Sequence, residues 1–159
     1  MTAMTPEQRL VELGLVLPGP YPPHDPLDAV VIHGGRARTS GQLPRDLDGV
    51  IVCGTLGGEG LDGIEVPAGV IAAQWCALNA LSVLRFALGS LDRIDRVLTV
   101  LGFVASAPGF QQQPAVVDGA SGVLHQVFGD RGRHSRSAIG VSTLPRGGAV
   151  EIEVEVALR

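Results

Sequence analysis

The sequence contains few aromatic residues and few cysteines, and each scarcity excludes a class of protein. Phe, Trp and Tyr together make up 4% of the 159 residues, so the core must be built from aliphatic side chains. Recognition of single-stranded nucleic acid depends on the stacking of bases on aromatic rings, and such a partner is therefore not expected. The two cysteines, Cys53 and Cys76, lack the spacing of a metal site or of a disulfide framework. We predict a protein with no bound metal, no cofactor and no disulfide scaffold.

The chain also lacks an excess of positive charge and a long apolar run. Its net charge of −4 provides no general attraction to a phosphate backbone. No uninterrupted apolar stretch approaches the ~20 residues of a membrane-spanning helix, and residues 1–16 do not show the basic and then apolar pattern of a signal peptide. We therefore expect a cytoplasmic protein whose partners include neither a membrane nor a nucleic acid.

The length suits one domain, which would bury roughly 70% of the surface of the unfolded chain. We predict that residues 1–159 form this single domain, with an N-terminal helix and a proline-rich arm at 1–28 and a core at 29–159. Thr5 is a suitable N-cap for the helix, because Pro6 then occupies the first helical position, and Gly14 is a suitable stop. Residues 17–26 contain too many prolines for a helix or a central strand.

Hydrophobic periodicity predicts the elements of the core. They are a hairpin at 29–32 and 36–40, a candidate short strand at 50–53, a buried helix at 71–88, a strand covered on both faces from 97 to 105, a helix from 114 to 129, and two alternating strands at the C-terminal end. This order predicts an α+β or α/β sheet with helices on one face. The other face needs cover, which is a reason to expect an oligomer.

The two C-terminal strands carry the residues best suited to binding and catalysis. Arg136 opens one strand and Glu151 opens the next. Because a guanidinium offers planar, bidentate donors to a carboxylate, the two residues suggest a site for a small acid with a polar partner. The competing interpretation is that both residues belong to the solvated face of a half-buried sheet. His134, two residues before Arg136 on the same face, is either a proton shuttle or a residue of the rim.

Four stretches occur in an order that carries a family resemblance. They are TSGQLP at 39–44, AAQWCALNALSVLRFALGSLDRI at 72–94, GFQQQPAVVDGASGVLHQVFG at 109–129, and HSRSAIGVSTLP at 134–145 followed by VEIEVEVAL at 150–158. Together they resemble the RidA family, which is also called YjgF or L-PSP endoribonuclease. The resemblance extends from about residue 30 to the end of the chain.

The resemblance implies a chorismate-mutase-like fold and a homotrimer with ligand sites in the clefts between subunits. In that fold the strand near 97–104 lies between the last two strands. Family members hydrolyse reactive imines and enamines derived from amino acids, and release a 2-oxo acid and ammonia. On the matching positions, Arg136 would hold the substrate carboxylate and Glu151 would orient the attacking water. Ser40 and Gly41 of the SGQ stretch would line the pocket.

Three substrate-binding positions depart from the pattern of the deaminases. Leu27 stands where they carry a tyrosine, Ala138 where they usually carry a cysteine, and Ser121 near a helix asparagine. Tyr21, six residues before Leu27, is a candidate substitute. The first hypothesis is a RidA-like hydrolase that deaminates imine or enamine intermediates of a small carboxylate to 2-oxo acids. The alternatives are a non-catalytic trimeric module that binds a small carboxylate or a protein partner, and an endoribonuclease.

Overall fold

A five-stranded mixed sheet is the framework of the protein. The computed structural model, which describes residues 3–159, orders its strands β1-β2-β7-β5-β6. The strands of this sheet are β1 (Val30–His33), β2 (Arg36–Thr39), β5 (Ile94–Ala105), β6 (Ser135–Val141) and β7 (Val150–Leu158), and the helices are α1 (Pro6–Glu12), α2 (Val66–Leu88) and α3 (Gln113–Phe128). A small parallel pair, β3 (Thr55–Leu56) and β4 (Gly63–Ile64), lies apart from it.

The strand directions follow from the connections. β1, β2 and β7 pair antiparallel, and β7 also runs antiparallel to β5, whereas β6 is parallel to β5. The parallel connection from β5 to β6 passes through α3, as a crossover requires. β5 therefore separates the last two strands, which run in opposite directions, and this confirms the order expected from the family resemblance.

The helices cover one face of the sheet. In β7 the four branched side chains on that face are fully buried, namely Val150, Ile152, Val154 and Val156, while the alternating glutamates on the other face are half-buried. α2 and α3 pack together over the buried face and contribute most of the aliphatic core. The predicted α+β fold with helices on one face is confirmed.

Helix α2 begins at Val66, five residues before the predicted start at residue 71. The earlier start is tolerated because Pro67 lies in the first turn, where its missing N–H is not needed. The helix ends at Gly89, which adopts φ 84°. By length and composition α2 could cross a membrane, but 13 of its 23 residues are buried in the fold. The core helix of a globular protein has these same properties.

Three local predictions were wrong. Residues 50–53 do not form a strand, because Ile51 pairs with Arg45 and Cys53 with Gly148, so the segment changes partner within two residues. The sequence also favours Leu10, Leu13 and Val11 as the packing side chains of the N-terminal helix, but of these three only Leu10 is buried. β5 is covered on one face alone, because within one chain both large helices lie on the same side of the sheet.

The crossing of α2 and α3 depends on a close backbone approach at Gly119. A Cβ atom there would overlap the carbonyl oxygen of Val70, whereas a Cβ on Gly122, in the same helix, would meet nothing within 4 Å.

We therefore expect opposite effects from two alanine substitutions in α3. Gly119→Ala should lower the free energy of unfolding by about 1–3 kcal/mol, since the helices must move apart. Gly122→Ala should raise it by about 0.5–1 kcal/mol, since alanine has the higher helix propensity. Urea denaturation measures both, and equal effects of the two substitutions would contradict the close packing at Gly119.

Candidate ligand-binding site

Arg136 lies on the helix-covered side of the sheet. It pairs in register with Val100 of β5, which pairs with Val154 of β7, and both valines are buried beneath the helices. Its side chain, about one-fifth exposed, reaches across the edge strand β6 to α3. The competing interpretation, that Arg136 and the glutamates share one solvated face, is therefore wrong.

Helix α3 holds the guanidinium through three hydrogen bonds. Nη1 donates to Oδ1 of Asp118 at 2.8 Å and to Oγ of Ser121 at 3.1 Å. Nη2 donates to the carbonyl oxygen of Pro114 at 3.3 Å. A guanidinium has five N–H donors, so the contacts within residues 3–159 leave two for a ligand. Helix α3 thus positions the Arg136 guanidinium and leaves part of its hydrogen-bonding capacity available to a ligand.

A cavity of about 400 Å³ lies beside Arg136. Its walls come from the middle of α3 and from the segment that leads into β6, and they are Asp118, Ser121, His125, Gly132, Arg133, His134 and Arg136. The volume is within the range of small-molecule sites. We call it the arginine cavity.

Asp118 was not singled out by sequence reasoning. It lies three residues before Ser121 and therefore on the same side of α3, which is the signal that could have found it. The side chain of Asp118 is 70% exposed, so solvent screens its ion pair with Arg136 and the pair contributes at most about 1 kcal/mol to stability. Its main effect is to place a competing carboxylate beside the proposed anchor.

His134 lies against Ser121 and lines the arginine cavity. Its Nε2 is 2.9 Å from Oγ of Ser121, and its Nδ1 is 2.6 Å from the carbonyl oxygen of Gly132. Burial lowers the pKa of His134 below its ordinary value, and the nearby Arg136 lowers it further, although the hydrogen bond to Gly132 opposes the shift. The structure thus brings together three of the predicted site residues, Arg136, Ser121 and His134.

Glu151 lies on the opposite, open face of the sheet and lines a different cavity. This second cavity, of about 250 Å³, also contains Leu27, Ser40, Gly41 and Tyr21. We call it the glutamate cavity. Within residues 3–159 a single chain therefore does not bring Glu151 and Arg136 into one site.

Two features of the glutamate cavity follow from Glu151. Burial raises the pKa of its carboxyl group, and the neighbouring charge of Glu153 raises it further. A side chain at Gly41 would overlap the Glu151 carboxylate, so glycine at this position makes room for it.

The proline-rich arm forms the outer wall of the glutamate cavity. The guanidinium of Arg45 stacks 3.8 Å from the ring centroid of Tyr21, and Nη2 of Arg146 donates to the Tyr21 hydroxyl at 3.2 Å. The hydroxyl of Ser40 donates to the carbonyl oxygen of Asp28 at 2.6 Å, which ties the arm to β2. Tyr21 thus lies beside Leu27, although sequence reasoning left its place undecided.

Ala138 lies on the same side of β6 as Arg136 and packs against the hydrophobic core. It lines neither the arginine cavity nor the glutamate cavity. Within residues 3–159 no group of three or more His, Cys, Asp or Glu side chains could hold a metal ion.

Comparison with known proteins identifies the family. The model of the family described as "YjgF/chorismate_mutase-like, putative endoribonuclease" matches residues 7–150. The chain belongs to this YjgF family. It is 41% identical over 150 residues to protein TCP17 of Trypanosoma cruzi, which covers 94% of this chain and 91% of TCP17.

Solved structures of YjgF relatives share the fold. The protein Atu1372 of Agrobacterium tumefaciens is 39% identical with a TM-score of 0.85, over 97% of this chain and 92% of Atu1372. A protein of Shewanella oneidensis described as "a putative endoribonuclease" is 32% identical with a TM-score of 0.88, over 98% of this chain and all of that one. The YjgF gene product of E. coli, at 19% identity and a TM-score of 0.60 over 89% of this chain and 94% of its own, shows the fold alone.

Gly41→Ala should displace the Glu151 carboxylate with little loss of stability. The clashing atoms belong to the end of a flexible side chain, so we expect the free energy of unfolding to change by less than about 1 kcal/mol. The displaced carboxyl group would gain solvent, so its raised pKa should fall toward the ordinary glutamate value. Carbon-13 NMR titration of the Glu151 carboxyl measures this shift. Gly19→Ala, where a Cβ meets nothing within 4 Å, is the control, and an unmoved Glu151 pKa in Gly41→Ala would contradict the contact.

Proposed function

We propose that this YjgF protein is a hydrolase that deaminates reactive imine or enamine intermediates to 2-oxo acids. The substrate would be a small carboxylate held by Arg136. The observation that carries the proposal is a guanidinium oriented by α3, with two N–H donors still free beside a cavity of about 400 Å³. A planar fork of this kind suits the bidentate binding of a carboxylate.

We propose further that the protein acts as a homotrimer. Leu101 and Phe103 are only half-buried on the open face of the sheet, and Ile139 beside them is 44% exposed. Apolar side chains on an open sheet face favour cover by another copy. Since Glu151 also lies on this face, a neighbouring copy that packs there can bring its own edge strand, and with it an arginine cavity, toward Glu151. Such packing would unite the two halves of the site across a subunit boundary.

A non-catalytic module that binds a small carboxylate is the second candidate. It is favoured by the separation of Glu151 from Arg136 within one chain, which leaves the proposed carboxylate anchor without the water-orienting residue beside it. An endoribonuclease has less support. The net charge is −4, which provides no general attraction to a phosphate backbone.

Arg136→Ala should weaken carboxylate binding by about one to two decades, because a hydrogen bond to a charged group contributes about 1.5–3 kcal/mol. The measurement is the decay of enzymatically generated 2-iminobutyrate with and without the protein. Arg9→Ala is the matched control, because Arg9 of α1 also pairs with a carboxylate, that of Glu12, but does not line the arginine cavity.

Three results of this assay separate the candidates. Faster decay that is lost in Arg136→Ala and kept in Arg9→Ala supports the deaminase. No acceleration by the wild-type protein, together with thermal stabilisation by a 2-oxo acid that depends on Arg136, supports the binding module. A wild-type protein that causes neither faster decay nor thermal stabilisation would contradict both candidate functions.

Ile139→Asp should dissociate the proposed trimer, because it places a charge beside the apolar side chains of the open face, where a neighbouring copy would bury it. Light scattering after size-exclusion chromatography should give about three times the chain mass of 16.5 kDa for the wild type and one chain mass for the variant. Val11→Asp, at an exposed site of α1, should stay trimeric. A monomeric wild-type protein at micromolar concentration would overturn the assembly.

A further inference from the structure

The hydrogen bonds around His134 determine which of its ring nitrogens carries the proton. Nδ1 lies 2.6 Å from the carbonyl oxygen of Gly132, and a carbonyl oxygen can only accept, so Nδ1 must donate. In a neutral imidazole the other nitrogen, Nε2, is then an acceptor. Its partner at 2.9 Å is the hydroxyl of Ser121. Ser121 therefore donates its proton toward His134.

The surroundings of His134 favour the neutral ring. Burial is the largest influence that lowers its pKa, and Arg136 lowers it as well. His134 lines the arginine cavity and another cavity beside the start of β6. The other charged or titratable groups that line these two cavities are Asp118 and His125 of α3, Arg133 next to His134 and Arg96 of β5. Three of the five are arginines once Arg136 is included, and these positive charges oppose a proton on Nε2.

The hydroxyl of Ser121 has one open position. Its proton is donated to His134, and one lone pair accepts from Nη1 of Arg136 at 3.1 Å. A serine hydroxyl has a second lone pair, and Ser121 lines the arginine cavity. This lone pair can accept a proton from a water in the cavity while the serine proton passes to His134. Arg136 supports the transfer, because its positive charge stabilises negative charge that develops on Oγ.

We propose that Ser121 and His134 form the proton-transfer couple of the arginine cavity. The assignment rests on the proposed deaminase function and names the group that activates its water. The water oxygen forms a bond to the imine carbon while one water proton moves to Oγ of Ser121 and the serine proton moves to Nε2 of His134. The nitrogen takes the electron pair of the C=N π bond and receives the proton back by the same path, which gives a carbinolamine. A second transfer through the couple moves the hydroxyl proton of the carbinolamine to the amine nitrogen. The C–N bond then breaks as the C=O bond forms, and ammonia and a 2-oxo acid leave. One water is consumed for each imine, and the couple ends in its starting state.

This assignment differs from the one that the family resemblance implies. That resemblance gives the water-orienting role to Glu151, which lies on the opposite face of the sheet in the glutamate cavity. The Ser121–His134 couple contacts Arg136 within the same chain. In a trimer Glu151 of a neighbour can still orient the substrate, while proton transfer belongs to the couple.

Ser121→Ala and His134→Gln test the couple, with His33→Gln at the exposed end of β1 as the control. General acid–base catalysis contributes about 10²–10⁴-fold, so both variants should lose at least about a hundredfold in kcat while KM changes far less. The wild-type kcat/KM should fall on the acid side, at a pH below the ordinary histidine pKa, because a protonated His134 cannot accept. This acid limb should be absent from His134→Gln. Thermal unfolding verifies that each variant is folded.

Nitrogen-15 NMR of the histidine rings provides a readout that does not depend on turnover. At pH 7.5 His134 should be neutral with the proton on Nδ1, and the Nε2 shift should move in Ser121→Ala because a hydrogen bond is lost. A proton on Nε2 would overturn the couple whatever the kinetics show.

The kinetic outcomes separate this proposal from the proposed function. Absence of imine turnover by the wild-type protein would overturn the deaminase function and the couple's role with it. Normal turnover by folded Ser121→Ala and His134→Gln, with an unchanged acid limb, would overturn the couple alone and leave the deaminase function in place.

Discussion

The alternation of side chains along a β-strand determines how the site of this protein is divided. Arg136 and Glu151 pair with Val100 and Phe103 of the same central strand, and residues separated by an odd number lie on opposite faces. No change of side-chain rotamer can bring the two groups together within one chain. A register shift of one residue would reunite them, but it would also move the buried valines of β7 to the open face. The division of the site is therefore enforced by the core.

Helix α3 supplies the residues that complete the site around Arg136 on the helix-covered face of the sheet. The crossover between parallel strands has to pass over the sheet face, and it places α3 beside the edge strand that carries Arg136. Gly119 lets α3 approach α2 closely, which sets the helix at the depth where Asp118 and Ser121 meet the guanidinium. Packing at Gly119, which does not line the arginine cavity, thus helps to position Arg136, the proposed anchor of the ligand.

Much of the fold could be predicted from the sequence, because the relevant signals are local. The β1-β2 hairpin, the N-cap at Thr5 and the end of α3 at Gly129 each depend on a few neighbouring residues, and all are confirmed.

The orientation of β6 could not be predicted in this way. Its apolar residues Ile139 and Val141 suggest a core-facing side, yet they lie on the open face, and Arg136 lies under the helices. Which side of an edge strand faces the core is decided by its pairing with β5, and a short pattern does not contain that information.

Tyr21 has a consequence for how this fold can diversify. The ring is clamped between guanidinium groups from two distant parts of the chain, so the arm that carries it is anchored by side chains instead of by a strand. A segment held in this way can change in length or composition without disturbing the hydrogen-bonded strand pairs of the sheet. The size and polarity of the glutamate cavity can therefore vary among relatives while the aliphatic core stays the same. Ligand selectivity is then determined by the proline-rich arm, which can change independently of the sheet.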